Sequence, residues 1–340
     1  MTARVLLRRG WVLQERLLSP RSIYYGEKLH WECSELHACE TFPHGGPITG
    51  TFNPWGKEGF PFRAANLLYD DMRYKELGIY APQQCSPEVA RIREVYRKWL
   101  CVVEYYSKCQ LTYEEDRFPA LMGLAKYWQV ITEDDYVAGT WRRDLVYGLL
   151  WYQERPAPKK PRSKDYRAPS WSWASADSAV CFPLAHVGGI PRGYDEDIWA
   201  ANIAEVVTHP SGTDAMGRLS GAKLRVTAPI RRLKQPLDLS RDAYEPLYLH
   251  HLDDRAYGNG YSADRTVLLL LTYRVKPLFG THEIKRLTGL ILERVAGKKV
   301  FKRIGMFEHG WFQHRLSNGE WPLFIDWDPL REKKTTLTII

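Results

Sequence analysis

Long apolar runs are missing from this chain. The longest aliphatic stretch in its 340 residues is Val267-Leu268-Leu269-Leu270-Leu271, far short of the ~20 residues a helix needs to cross a bilayer, so no membrane-spanning helix is expected. A secretory leader is not legible either. Residues 1–9 carry three arginines around an apolar core of Val5, Leu6 and Leu7, with no longer apolar stretch behind it. The expected location is intracellular and cytoplasmic, with the nucleus as the alternative. The six cysteines (Cys33, Cys39, Cys85, Cys101, Cys109 and Cys181) are then expected as reduced thiols. No Gly-x-Gly-x-x-Gly, Walker loop or Gly-x-Ser-x-Gly elbow occurs, which removes the usual sequence arguments for a dinucleotide, a nucleoside triphosphate or a serine nucleophile. No internal repeat is visible, and the residues call for no cofactor.

Aromatic residues are plentiful. Thirteen Trp and twenty Tyr need a core or an interface to bury them, which favours a folded chain. The net charge is +8, and its distribution decides its meaning. Residues 155–167 hold six basic side chains (Arg155, Lys159, Lys160, Arg162, Lys164, Arg167) against one acid, Asp165, within a proline-rich run. Proline blocks helix and denies ladder hydrogen bonds, so the segment is expected as a solvated linker. A nuclear or nucleic-acid patch is the alternative, without aromatic platform or zinc-finger spacing to support it.

Along the chain, Trp11, Gln14, Glu15 and Leu18 fall at helical spacing, with Ser19-Pro20 ending the turn. Trp11 and Leu18 are expected to pack, and Gln14 and Glu15 to bond backbone amides or pair with Arg9 or Arg21. Residues 23–26 and 28–32 predict two short strands around a Gly-Glu turn. Residues 41–85, rich in Gly and Pro over 40–66, predict an irregular loop. Ser86-Pro87-Glu88 is a helix start of capping hydroxyl, proline and acid. From it Val89, Ile92, Tyr96, Trp99, Val103 and Tyr106 recur at steps of three and four, one apolar face over about five turns. Thr112 with Glu115 suggests a capping box, Pro119 restarts a helix, and a further helix is expected after Thr140 with Trp141, Leu145, Leu149 and Tyr152 on one side. The segment 86–153 is therefore expected as three packed helices. Beyond residue 167 the period shortens: 179–184, 199–208, 223–230, 266–273, 288–295, 300–307 and 322–327 predict strands, with a hairpin at Ala296-Gly297-Lys298. The expectation is an α+β chain. Its divisions are 1–40, 41–85 as loop, 86–153 helical, 154–167 as basic linker and 168–330 as an antiparallel β-rich sandwich or barrel.

Four sets of residues carry chemistry by type. His30, Cys33, His37, Cys39 and His44 lie close together but without a Cys-x2-Cys pair, so no zinc site is expected. The acid clusters Glu114-Glu115-Asp116 and Glu133-Asp134-Asp135 are expected to precede and complement helix starts. Trp171-Ser172-Trp173, read as a strand, puts both indoles on one face as a buried anchor, with Arg167 free to pair with an acid. Glu15 is the weak catalytic candidate, since a working carboxylate needs a pocket around it.

The run Arg9-Gly10-Trp11-Val12-Leu13-Gln14-Glu15-Arg16-Leu17-Leu18-Ser19-Pro20-Arg21, continuing to His30-Trp31-Glu32-Cys33, resembles the closing block of the fungal heterokaryon-incompatibility (HET) domain. Leu111-Thr112-Tyr113, 118–121 with 123–125, Ala138-Gly139 with Trp141-Arg142, Leu149-Leu150-Trp151 and Ala168-Pro169-Ser170-Trp171-Ser172-Trp173-Ala174-Ser175 are similar to the region that follows that domain. The resemblance spans roughly residues 8–180 as separated blocks. Family positions map onto Arg9, Trp11, Gln14, Glu15, Ser19, Arg21, Trp31, Cys33, Pro169, Trp171 and Trp173. The opening HET blocks, of Ser-Tyr-x-Trp-Gly and Trp-x-Asp-x-x-Cys-Ile-Asn-Gln type, do not appear. The resemblance implies that residues 1–40 are the remnant of a TIR-like fold, from a truncated product, a mis-assigned gene start or a degenerate paralogue. It also implies a role in non-self recognition and programmed cell death, through a protein partner or self-association. TIR domains that hydrolyse NAD with a glutamate make Glu15 the centre of an alternative, enzymatic reading.

Overall fold

Pro87 opens the longest helix because its missing amide is one the first turn leaves unpaired in any case, and the apolar spacing behind it holds for five turns. In a computed structural model that describes residues 8–26, 28–33, 36–45, 87–153, 166–183, 198–232, 248–252, 265–278, 281–310 and 331–340, this helix runs Pro87–Ser107. The chain is α+β and divides into two units, residues 1–136 with 214–218 and residues 137–213 with 219–340. No helix among the described residues is long and apolar enough to cross a membrane. Ser86, most of the loop 41–85, the basic residues from Arg155 to Lys164 and the strand expected at 322–327 lie outside the described residues.

The first unit comprises α1 (Gly10–Leu18), a three-stranded antiparallel meander of β1 (Arg21–Tyr25), β2 (Leu29–Cys33) and β3 (His37–Cys39), then α2 (Pro87–Ser107) and α3 (Met122–Thr132). Tyr96, Trp99, Val103 and Tyr106 of α2 are buried as the spacing predicts. Trp99 is the hub. Trp128 of α3 meets it edge-on at 5.5 Å and Tyr136 at 5.8 Å. The Trp128 indole N–H donates to the Val95 carbonyl, so its polar edge is satisfied inside the core. Pro119 does restart a helix: a 3-10 turn, Pro119–Leu121, runs directly into α3.

Three local expectations fail. Thr112 and Glu115 make no capping box. The turn Glu114–Arg117 starts from Tyr113 with no side-chain cap, because Glu115 and Asp116 bind the Arg218 guanidinium instead. The cluster 133–135 ends a helix and does not precede one. Glu133 closes α3 in the left-handed region at φ 49 and donates its N–H to the Gln129 carbonyl. Asp134 is buried, accepting from the Tyr96 hydroxyl at 2.9 Å. The third helix after Thr140 shrinks to a single turn. β4 (Tyr136–Val137) leads through Ala138 and Gly139, both at positive φ, into β5 (Thr140–Trp141), and only one turn, α4 (Leu145–Gly148), precedes β6 (Tyr152–Gln153). Trp141, Leu145, Leu149 and Trp151 are all fully buried, so apolar spacing carried no single face to fit. The chain doubles back so tightly that a Cβ on Gly148 would lie 2.1 Å from Thr140 Oγ1.

The second unit is built on an eight-stranded sheet. Its strands are β8 (Ile198–Trp199), β9 (Asn202–Pro210), β10 (Leu219–Arg232), β11 (Tyr248–Leu252), β12 (Thr266–Leu278), β13 (Thr281–Arg294), β14 (Phe301–Gly310) and β15 (Lys334–Ile339), while β7 (Val180–Cys181) pairs with β6. The order is β8-β12-β13-β14-β15-β10-β9, with β11 on β14. β12 also pairs with β10, so five strands close into a ring, the closure that removes exposed edges. Pairing is antiparallel except for β14 beside β15. The run 267–271 is buried on both strand faces, which explains why it is continuous where a half-buried strand would alternate. Gly289 is required where β12 and β13 cross closest: a Cβ there would fall 2.0 Å from the Leu269 carbonyl oxygen.

Candidate functional site

The first family-like block builds a joint between α1, the meander and α3. Arg9 precedes α1, and its neighbours on both sides pair with Gln110: Gly10 N–H donates to the Gln110 carbonyl at 2.9 Å, and Gln110 N–H to that of Arg8. A Cβ on Gly10 would fall 2.6 Å from Leu111 Cδ2, so any side chain there would have to displace the tip of Leu111. Gln14 Oε1 accepts the N–H of Gly123 at 2.7 Å. That amide belongs to the first turn of α3, where no intrahelical partner exists, so Gln14 caps α3 from a distance of more than a hundred residues in sequence. A Cβ on Gly123 would press to 2.9 Å from the Gln14 amide, so a side chain there would push Gln14 out of its place over the Gly123 N–H. Ser19 ends α1 with its hydroxyl and N–H both donating to the Glu15 carbonyl.

The buried face of α1 is not the expected one. Leu13, Arg16 and Leu17 are buried, while Trp11 and Leu18 are exposed and Trp11 reaches Asp116 with its indole N–H at 3.3 Å. The reason is an ion pair that hydropathy spacing cannot register. The Arg16 guanidinium donates twice to Glu32 of β2, Nε to Oε2 and Nη2 to Oε1, both at 3.0 Å, with the side chains 3% and 2% exposed. Tyr24 of β1 donates to the same carboxylate at 2.8 Å. Burial alone would lower the Arg16 pKa; the hydrogen bond and charge of Glu32 reverse that and raise it. Burial, then the Glu32 charge, pushes the Tyr24 phenol up to about 12. Burial also drives Tyr106 and Tyr136 upward and Cys101 to about 12.

These shifts fix a pH dependence. An acid whose folded pKa is raised stabilises the fold fully below its unfolded value, and that stability is lost as pH climbs toward the folded value. Stability is therefore expected to hold to about pH 9, where the Cys101 window opens, and to fall progressively above about pH 10 as the three phenols must stay neutral. Denaturant midpoints measured from neutral pH to about pH 12 check this, and a flat profile would contradict it.

Glu15 projects from the exposed side of α1, and Arg21 is exposed on β1. Trp31 sits between Ile23 and Ala38 in the strand register, and the Cys33 sulfur accepts the Leu36 N–H at 3.2 Å. Of the zinc-ligand types near the meander, the His37 side chain lies outside the described residues, and among the described residues no three His, Cys, Asp or Glu side chains are grouped to hold a metal ion.

The second block does not form a strand. Residues 170–172 turn and Trp173–Ser175 is a 3-10 helix, because the Ser172 hydroxyl accepts the Ala174 N–H and competes with extended backbone. The indoles are nonetheless the buried anchor expected of them. Trp171 and Trp173 are fully buried, and Pro169 beside them is buried. Ser172 Oγ donates to the Ala138 carbonyl at 2.6 Å and Trp173 Nε1 to that of Gly139 at 2.8 Å, which pins the positive-φ turn. Trp151 Nε1 donates to the Trp171 carbonyl, and the buried Arg303 guanidinium lies 3.3 Å from the centre of the Trp151 ring. Arg167 pairs with Asp177 at 2.6 Å.

The separated blocks thus meet in two sets. Within the first unit, residues 9–21 touch 110–111, 116 and 123 and lock onto 30–33; within the second, 138–139, 151 and 169–176 interlock. Sequence reasoning missed Arg16 as the partner of Glu32, and the one available signal was a charged residue on the side of α1 that carries Leu13 and Leu17. No family model, curated protein or solved structure matches this chain.

Proposed function

We propose that the chain is a HET-domain-like protein-interaction module of fungal non-self recognition, working through the open face of its β-meander. The supporting observation is the distribution of exposed apolar side chains. Pairing sets Ile23 opposite Trp31 and Tyr25 opposite Leu29, which puts all four on one face, since side chains alternate along a strand. Ile23, Tyr25 and Leu29 are exposed, Tyr25 at 81%, and Trp31 is half-buried between them. The opposite face holds Tyr24 and Glu32 and is fastened to α1. Single exposed apolar residues are ordinary, but a contiguous set on one face marks a protein contact. The scaffold around it is rigid: a buried ion pair, a long-range cap and two glycine contacts hold α1, the meander and α3 in one arrangement.

The reading is tested by recovering the chain from its host with its bound partner, whether another protein or a second copy. The double substitution Ile23→Asp, Tyr25→Asp is expected to abolish recovery of that partner while leaving the melting temperature unchanged. A partner retained by the double variant would refute the assignment of this face.

A further inference from the structure

The meander runs in the order β1-β2-β3, so β2 is paired on both sides and β1 on one. Among the described residues no other strand pairs with Arg21–Tyr25. An edge strand turns every second N–H and C=O away from its neighbour, which is a template for one more strand. Folded proteins commonly blunt such an edge with proline, a bulge, or a charge in mid-strand. β1 has none of these. Its five residues contain no proline, and its single charge, Arg21, sits at one end. Its register with β2 runs unbroken from Arg21↔Cys33 to Tyr25↔Leu29. α1 is tied to the face of the meander that carries Glu32, which leaves the other face open beside this edge.

The strand also matches itself. Side chains alternate, so Arg21, Ile23 and Tyr25 share the open face, and all three are exposed. A second β1 laid antiparallel about a twofold axis through Ile23 uses all five residues. Ile23 then meets Ile23 on the axis, and at each end Arg21 of one copy meets Tyr25 of the other. The guanidinium faces an aromatic ring, an attractive pairing, and the centre is apolar. Any other centre carries Arg21 or Tyr25 past the end of the paired strands. A parallel pairing in register would set Arg21 on Arg21, and like charges directly opposite are unfavourable. The strand is thus complementary to its own twofold image, as an isologous interface requires.

Resting on the meander as the contact surface, we propose that the partner at this edge is a second copy of the chain. Its β1 adds antiparallel to β1 about a twofold axis at Ile23, and two three-stranded meanders become one continuous sheet.

Sedimentation equilibrium of the full chain at low ionic strength, from about 1 to about 100 μM, tests this. A monomer–dimer equilibrium is expected. Tyr25→Arg sets arginine against arginine at both ends of the paired strands and weakens the dimer by at least about tenfold. Adding Arg21→Glu to that variant sets opposite charges at both ends and restores the dimer to within about threefold of the unsubstituted chain. Both positions are exposed, so the melting temperature stays the same in all three proteins. A dimer that Tyr25→Arg leaves as tight, or that Arg21→Glu fails to restore, would overturn the pairing. A chain that stays monomeric would overturn the second copy. If a different protein is then recovered from the host through Ile23 and Tyr25, the contact surface stands and only the identity of its occupant falls.

Discussion

Replacing Trp99 with alanine is expected to cost about 3–5 kcal/mol. The side chain is fully buried in the middle of α2 and is the shared edge of two aromatic contacts, at 5.5 Å to Trp128 and 5.8 Å to Tyr136. Removing the indole takes away its own burial and both ring contacts. The void cannot close by side-chain movement alone, since Trp128 is tied to the Val95 carbonyl and Asp134, beside Tyr136, to the Tyr96 hydroxyl. Trp99→Phe should recover part of the loss by refilling part of the volume. Equilibrium denaturation of the three proteins checks this, and an unchanged midpoint for the alanine variant would show that α2 does not pack as described.

Breaking the Arg16–Glu32 pair from one side should be as damaging, about 3–5 kcal/mol, because the surviving charge stays buried without its partner. Glu32→Leu strands the Arg16 guanidinium and removes the acceptor of the Tyr24 hydroxyl. Arg16→Met leaves a buried carboxylate that keeps its bond from the Tyr24 hydroxyl but loses the cation beside it. The double variant Arg16→Met, Glu32→Leu removes both desolvation costs and replaces them with apolar volume, so it should be more stable than either single variant. Additive single effects would mean that the two groups do not act as a pair, and that the face of α1 is set by Leu13 and Leu17 alone.

Periodicity and turn chemistry made much of this fold legible. The three-and-four spacing from Ile92 to Tyr106, the strands on either side of Gly26 and the hairpin at 296–298 were all readable, because in each the local preference and the tertiary environment agree. The segment 140–153 was not. Its apolar residues are enclosed on every side, and a fully enclosed run carries no period that separates helix from strand. β11 and β15 also went unread: Tyr248–Leu252 is short and interrupted by two histidines, and Lys334–Ile339 follows a run of charges that looks like a surface turn. The working parts were harder still. Gln14 capping Gly123 and Arg16 meeting Glu32 depend on residues that only the fold brings together.

The central claim is that the β1–β2 face is the surface this protein presents to its partner. A photo-crosslinking amino acid placed at position 25, and in a separate protein at position 130, tests it most directly. Val130 is as exposed as Tyr25, at 80%, but lies on α3. Irradiation in the host cell is expected to trap one reproducible protein adduct from position 25 and none from position 130. Equal labelling from both positions, or no adduct from position 25, would contradict the account.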